Sequence, residues 1–239
     1  MIKNLKKRTV HPIWKVKELK NIKVIVGGFM SIDGKTAPAN RIGRIFTKFM
    51  TPQHQKILHR LRASVDAIIV GVDTVLADDP SLTVREVKGK NPIRVVLDSS
   101  ARTPLTSRIL NTEEASTIIA VTQKASKEKI EALKSKKVEV IVSSSPERVD
   151  LKELTEELKN RGIKKVLVEG GGEVRWSFFK ENLVDEFFVW IMPYVWGGRN
   201  APTLVDGEGF LKAEDAVPLK LKSMKVVKDI LILWFSVKK

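Results

Sequence analysis

The chain has 239 residues, 43% hydrophobic and 30% charged, which describes a globular protein able to bury a sizeable core. It has no cysteine and no apolar run of bilayer length, excluding disulfides, thiolate zinc sites, cysteine nucleophiles and a membrane span, and a cytoplasmic setting is expected. The net charge of +15 suits phosphorylated small molecules or dinucleotides; lysines mixed with glutamates along Ser126–Lys137 and Asp150–Arg161 read as solvated helix faces, not as a nucleic-acid stripe.

Residues 1–22 have no clear period. They hold the densest basic cluster, Lys3, Lys6, Lys7 and Arg8, and read as a basic extension, with Pro12 to Val16 as a candidate edge strand. Val24 to Met30 is a strand running into Ser31-Ile32-Asp33-Gly34-Lys35. There Asp-Gly marks a turn at the carboxyl end of a strand, where open α/β sheets place ligands. Ala37 to Phe49 reads as a long basic loop. Thr51-Pro52 starts a helix, with threonine at the N-cap and proline after it. Ile57, Leu58, Leu61 and Val65 recur at helical spacing as its buried face. Arg60 and Arg62 point elsewhere, and His54 and His59 are expected on the surface, without companions for a metal site.

Asp66 to Gly71 is a strand, and Gly71 to Pro80 adds Thr74 and the pair Asp78-Asp79 before a proline stop. Paired carboxylates can act as acid and base, but Asp-Asp-Pro more often closes a helical turn. Leu82 to Val87 is extended and carries Arg85. Strands at Ile93–Asp98, Thr117–Val121 and Val138–Val142 alternate with helices at Ser126–Lys136 and Val149–Arg161, the latter closed by Gly162. Val166–Glu169 is a strand, Gly172–Asn182 a helix and Asp185–Tyr194 an aromatic-rich strand. Leu219–Lys228 and Ile230–Lys238 form an antiparallel pair. The alternation predicts an α/β fold: a mostly parallel central sheet flanked by helices, with an antiparallel C-terminal edge. No repeat or linker divides residues 23–239, which read as one domain.

The organising stretch is Val166 to Trp176, where a strand ends in Glu169, three glycines follow, and a helix begins. Gly170, Gly171 and Gly172 allow close approach of a ligand to backbone N–H groups, and the first turn of a helix offers unpaired donors to an anion. This is a phosphate cradle in outline; the plainer alternative is a tight strand-to-helix turn.

Taken in order, these motifs resemble the reductase domain of riboflavin biosynthesis in its stand-alone archaeal type. The matching pieces are Met30 to Lys35, Leu61 to Ala63, Gly71 to Val84, Leu97 to Ser99, Val168 to Gly172, Leu183 to Glu186 and Pro202 to Phe210. The resemblance implies a dihydrofolate-reductase-like fold and NADPH-dependent reduction of 2,5-diamino-6-ribosylamino-4(3H)-pyrimidinone 5′-phosphate, ribosyl becoming ribityl. Bifunctional relatives carry a zinc deaminase before this domain; its cysteines are absent here, so a reductase acting before deamination is implied. By resemblance, Thr74, Asp78, Asp98 and Ser99 contact the cofactor, and Gly170, Gly171, Gly172 and Glu173 take its pyrophosphate. Arg62, Leu82, Arg85 and Glu169 match substrate positions, the arginines suiting a phosphate and Glu169 the donor edge of the pyrimidinone. Asp33 is the candidate proton handler for ring opening.

Asp98, at a strand end, suits the ribose hydroxyl of NADH, whereas Arg102 or Lys124 would hold the 2′-phosphate of NADPH. A homodimer is implied, with the apolar Phe187–Tyr194 strand as its interface, and no metal is expected. The alternatives are a pterin or folate reductase of the same fold and a basic nucleic-acid-binding module, whose binding would collapse with salt.

Overall fold

A computed structural model describes residues 22–238; the basic cluster and the candidate strand at 12–16 lie outside the described residues. Ala67–Gly71 (β2) and Thr117–Val121 (β4) are buried at every position, as befits parallel strands covered on both faces, whose apolar runs need not alternate. They join Lys23–Ser31 (β1), Ile93–Leu97 (β3), Glu139–Val142 (β5), Lys165–Val168 (β6), Glu186–Met192 (β7), Leu219–Val227 (β8) and Ile230–Val237 (β9) in a single sheet. Its order is β5-β4-β3-β2-β6-β1-β7-β9-β8. Neighbours from β5 to β7 are parallel, and β9 and β8 add the expected antiparallel edge.

Helices cover both faces. Pro52–Ala63 (α1), Val72–Asp78 (α2) and Lys127–Lys134 (α3) set Leu58, Val75 and Leu133 into one core layer. Leu151–Asn160 (α4) and Gly172–Lys180 (α5) set Leu154, Leu158 and Phe178 into the other. Each such fully buried side chain contributes about 1.5–3 kcal/mol over leaving it in water. The chain crosses from β1 to β2, runs outward to β5, and returns to place β6 between them. Such a return makes a crevice at the carboxyl ends of the strands, and the site lies there.

Three sequence expectations change. The 37–49 segment is not loop throughout: Gly43–Phe49 forms a 3₁₀ helix with Phe46 buried, and Asp78 Oδ1 accepts from Arg44 N at 3.0 Å. The strand β7 is not a free interface, because β1 and β9 pair with it on either side and Phe188 and Trp190 lie in the core. His54 is buried, not superficial: Thr51 N donates to its Nδ1 at 3.1 Å, so its Nε2–H faces the Val227 carbonyl at 2.8 Å. It ties the start of α1 to the end of β8.

Candidate functional site at the carboxyl ends of β2 and β6

A cavity of about 550 Å³ opens beside Gly71 and Glu169, within the size range of small-molecule sites. The helix α1 presents Gln55, His59 and Arg62 to it. These lie at i, i+4 and i+7, one stripe of a helix, so Arg62 belongs to a second, polar face beside the apolar one. Arg60, by contrast, is exposed as expected.

Arg62 is buried by this placement and meets Glu169 in a bidentate pair. Its Nε donates to Oε1 at 2.9 Å and its Nη2 to Oε2 at 2.7 Å. Burial opposes the charge on Arg62, but the carboxylate outweighs it and raises the guanidinium pKa. The sequence reading gave both arginines to a phosphate. In the structure Arg62 is already engaged by Glu169, while each carboxylate oxygen retains a lone pair for another donor.

The residue that fixes Glu169 is Arg175, four positions after Gly171 on α5. Its fully enclosed guanidinium donates to the carbonyls of Gly27, Leu204 and Glu169. Burial lowers its pKa to about 10. A Cβ on Gly28 would sit 2.6 Å from its Nη2, so the glycine in β1 is the space the guanidinium needs.

Gly170, Gly171, Gly172 and Glu173 line the cavity at the start of α5. Gly171 has φ of 82°, open to glycine, and a Cβ on Gly170 would lie 2.8 Å from Thr74 Oγ1. The turn is therefore built for close backbone approach to Thr74, which also lines the cavity. The free N–H groups of the first helical turn face an anion's natural position. Glu173 is exposed, and Asp206 stands near Gly172 while accepting from Thr203 N at 3.1 Å. Thr74 and the glycine turn thus share one wall of the cavity, with the Asp206 carboxylate against the first residue of α5.

Opposite, Leu82 is buried at a φ of 53° and Arg85 projects beside it. Arg85 Nη1 donates to Thr83 Oγ1 at 2.7 Å, and Arg85 N donates to His59 Nδ1 at 2.9 Å. Thus His59 is buried at 4% exposure, contrary to expectation, because the 83–85 segment folds over it. Burial first, then the charges on Arg62 and Arg108, lowers the Arg85 pKa. Asp78 lines the same cavity with its pKa raised by burial, against hydrogen bonds from Arg44 and Gly43. Asp79 turns away: it closes α2 in the left-handed conformation and accepts from Arg108 N at 2.8 Å. Only Asp79 therefore closes the helical turn, while Asp78 faces the cavity.

Other expected residues fall outside the cavity lining. Asp33 accepts from Ser31 Oγ and from Gly197 N at 2.6 Å, which lowers its pKa and staples its loop beside, not within, the cavity lining. Asp98 has no exposure and three donors, from Arg102 N at 2.8 Å and from Thr103 N and Oγ1 at 2.7 Å. It closes its own turn and has no face for a ribose. Ser99 contributes its carbonyl to Thr122 and likewise stands outside. Arg102 pairs with Asp73 and Lys124 with Glu147, both at the surface.

The model of the RibD C-terminal domain matches residues 22–233. The chain belongs to that family. A 2,5-diamino-6-ribosylamino-4(3H)-pyrimidinone 5′-phosphate reductase of Aquifex aeolicus is 44% identical over 90% of this chain and 97% of its own length. One of the same name from Methanothermobacter thermautotrophicus is 44% identical over 90% of this chain and 98% of that protein. Among solved structures, Acinetobacter baumannii RibD superposes with a TM-score of 0.74 at 27% identity, over 92% of this chain; the chain spans 59% of that structure. Within this RibD C-terminal domain, Arg175 and His59 are the site residues that sequence reasoning missed. The glycine pair Gly27-Gly28 inside an apolar strand was the available signal for Arg175. Nothing local signals the partner of His59.

Proposed function

We propose that this chain reduces the ribosyl group of 2,5-diamino-6-ribosylamino-4(3H)-pyrimidinone 5′-phosphate to ribityl, with NADPH as reductant. The observation that supports it most is Glu169 fixed between Arg62 and Arg175, on the cavity that also holds Arg85 and the glycine cradle. A carboxylate so held can accept from the amino and ring N–H groups of a pyrimidinone, and Arg85 can meet the phosphate. A second anion fits the turn at Gly170 to Gly172 beside Thr74.

The ring-opened ribosylamine is an imine, and one hydride at C1′ with one proton at nitrogen gives the ribityl amine. The cofactor supplies that hydride when bound. The chain's own residues position and shield: Glu169 and Arg85 fix the two ends of the substrate, while Leu82 and Phe46 supply apolar wall. One reductase domain over residues 23–239 accords with the continuous sheet. A homodimer through the edge hairpin is favoured by Leu221, Met224 and Val226, exposed at 51%, 65% and 63% on β8. Incubation with the substrate and either NADPH or NADH, followed by mass analysis, tests the activity. A product heavier by two hydrogens, formed faster with NADPH, is expected; an unchanged substrate would overturn the reading.

A further inference from the structure

We propose that His59 is a second phosphate-binding residue of this cavity: its Nε2–H donates to the substrate's phosphate while its Nδ1 holds Arg85 in place. This rests on the reading above that the substrate is a sugar phosphate. The tautomer follows from geometry. Arg85 N donates to His59 Nδ1 at 2.9 Å, and a ring nitrogen that accepts carries no proton, so the neutral ring has its proton on Nε2.

Burial first, then the guanidiniums of Arg62 and Arg85, lowers the ring's pKa to about 4, while Glu86 and Glu169 push weakly the other way. Among the described residues Nε2 has no hydrogen-bond partner, yet no buried side-chain nitrogen or oxygen lacks one. His59 lines the cavity, where the proposed contact places its Nε2–H.

The neighbours indicate what it meets. Arg62 is engaged by Glu169, whereas Arg85 makes no ion pair among the described residues. An uncharged donor next to that guanidinium adds a hydrogen bond to an anion without adding a third positive charge beside Arg62 and Arg85. A phosphate oxygen suits this combination. The cofactor carries phosphates as well, and the test separates the two.

The variant His59→Asn keeps an acceptor near Nδ1 for Arg85 N–H but removes the reach of Nε2. It should raise KM for the phosphorylated substrate roughly ten- to a hundredfold, the loss of one hydrogen bond to a charged group. Turnover number, KM for NADPH and KM for the dephosphorylated substrate should stay near wild type. The longer His59→Gln, which returns a donor near Nε2, should recover part of the loss. Equal losses with both substrates, a rise in KM for NADPH, or wild-type behaviour of His59→Asn would each overturn the assignment.

Nitrogen NMR of the wild-type protein supplies an arm independent of turnover. The His59 Nε2 signal should move with ribose 5-phosphate and not with ribose. A protein that shows this shift but reduces nothing would defeat the proposed activity and leave the phosphate contact standing. An active enzyme whose ring nitrogen ignores ribose 5-phosphate would defeat the contact alone.

Discussion

Replacing Arg62 by leucine isolates the central ion pair. Its side chain and that of Glu169 are only 11% and 9% exposed, and two hydrogen bonds of 2.9 and 2.7 Å join them. Removing one partner of a buried, hydrogen-bonded pair typically destabilises by about 3–5 kcal/mol, because the other charge is left uncompensated. Arg175 offers no substitute, since its guanidinium is committed to three carbonyls. For a chain of this size each kcal/mol lowers Tm by about 2–4 °C, so Arg62→Leu should melt roughly 6–20 °C below wild type. The double variant Arg62→Leu, Glu169→Leu removes both charges and should regain most of that stability while remaining inactive. Calorimetry and urea titration of the wild type, both single variants and the double variant give the coupling between the two. A loss under about 1 kcal/mol for Arg62→Leu, or a double variant no more stable than either single one, would show that the two charges are not coupled in the core.

Glu186 predicts an acid limb of stability. Burial would raise its pKa, but donors from Lys222 at 2.6 Å, Lys23 at 2.9 Å and Trp234 at 2.8 Å outweigh it and hold it at about 2, below the ordinary 4.5. A lowered carboxylate pKa stabilises above the unfolded value, and the contribution disappears as pH falls from about 4.5 towards 2; with both lysines half exposed, about 1–3 kcal/mol is at stake. Glu186→Gln should flatten that limb in acid denaturation, and an unaltered limb would rule the carboxylate out. Gly170→Ala places a methyl 2.8 Å from Thr74 Oγ1, so it should raise KM for the cofactor and lower Tm. Adding Thr74→Ala leaves Val70 Cγ1 at 3.0 Å, so it should restore part of the Tm but not cofactor affinity; no change in either from Gly170→Ala would rule out so tight a cradle. Asp33→Asn should leave turnover close to wild type and increase protease cleavage near 196–197, where its carboxylate accepts backbone N–H groups. A collapse of turnover with the loop intact would return Asp33 to the chemistry.

The local parts of this site were legible in the sequence because local chemistry dictates them. A strand ending at Glu169, a glycine turn and a helix follow from side-chain size and period, and the structure forms them at Lys165–Val168 and Gly172–Lys180. The parallel sheet followed from apolar runs such as Ala67–Gly71. What was not legible depends on partners distant in sequence. His54 is buried by Val227, 173 residues away, and His59 by the backbone of Arg85. The 3₁₀ helix at Gly43–Phe49 is anchored by Asp78. Arg94 is wholly enclosed, with its guanidinium on the carbonyls of Ser81, Asn111 and Ala115, and main-chain acceptors leave no trace in a sequence. Asp98 shows the converse: an acid at a strand end has the right position for a ribose, yet its own turn supplies three donors first.

The most direct test is a comparison of two substrates at saturating NADPH, followed through the absorbance of the reduced nicotinamide. The account predicts rapid oxidation with the ribosylamino-pyrimidinone phosphate, none with dihydrofolate, and loss of the former in Glu169→Gln. Turnover of dihydrofolate alone, or full activity without the Glu169 carboxylate, would contradict it.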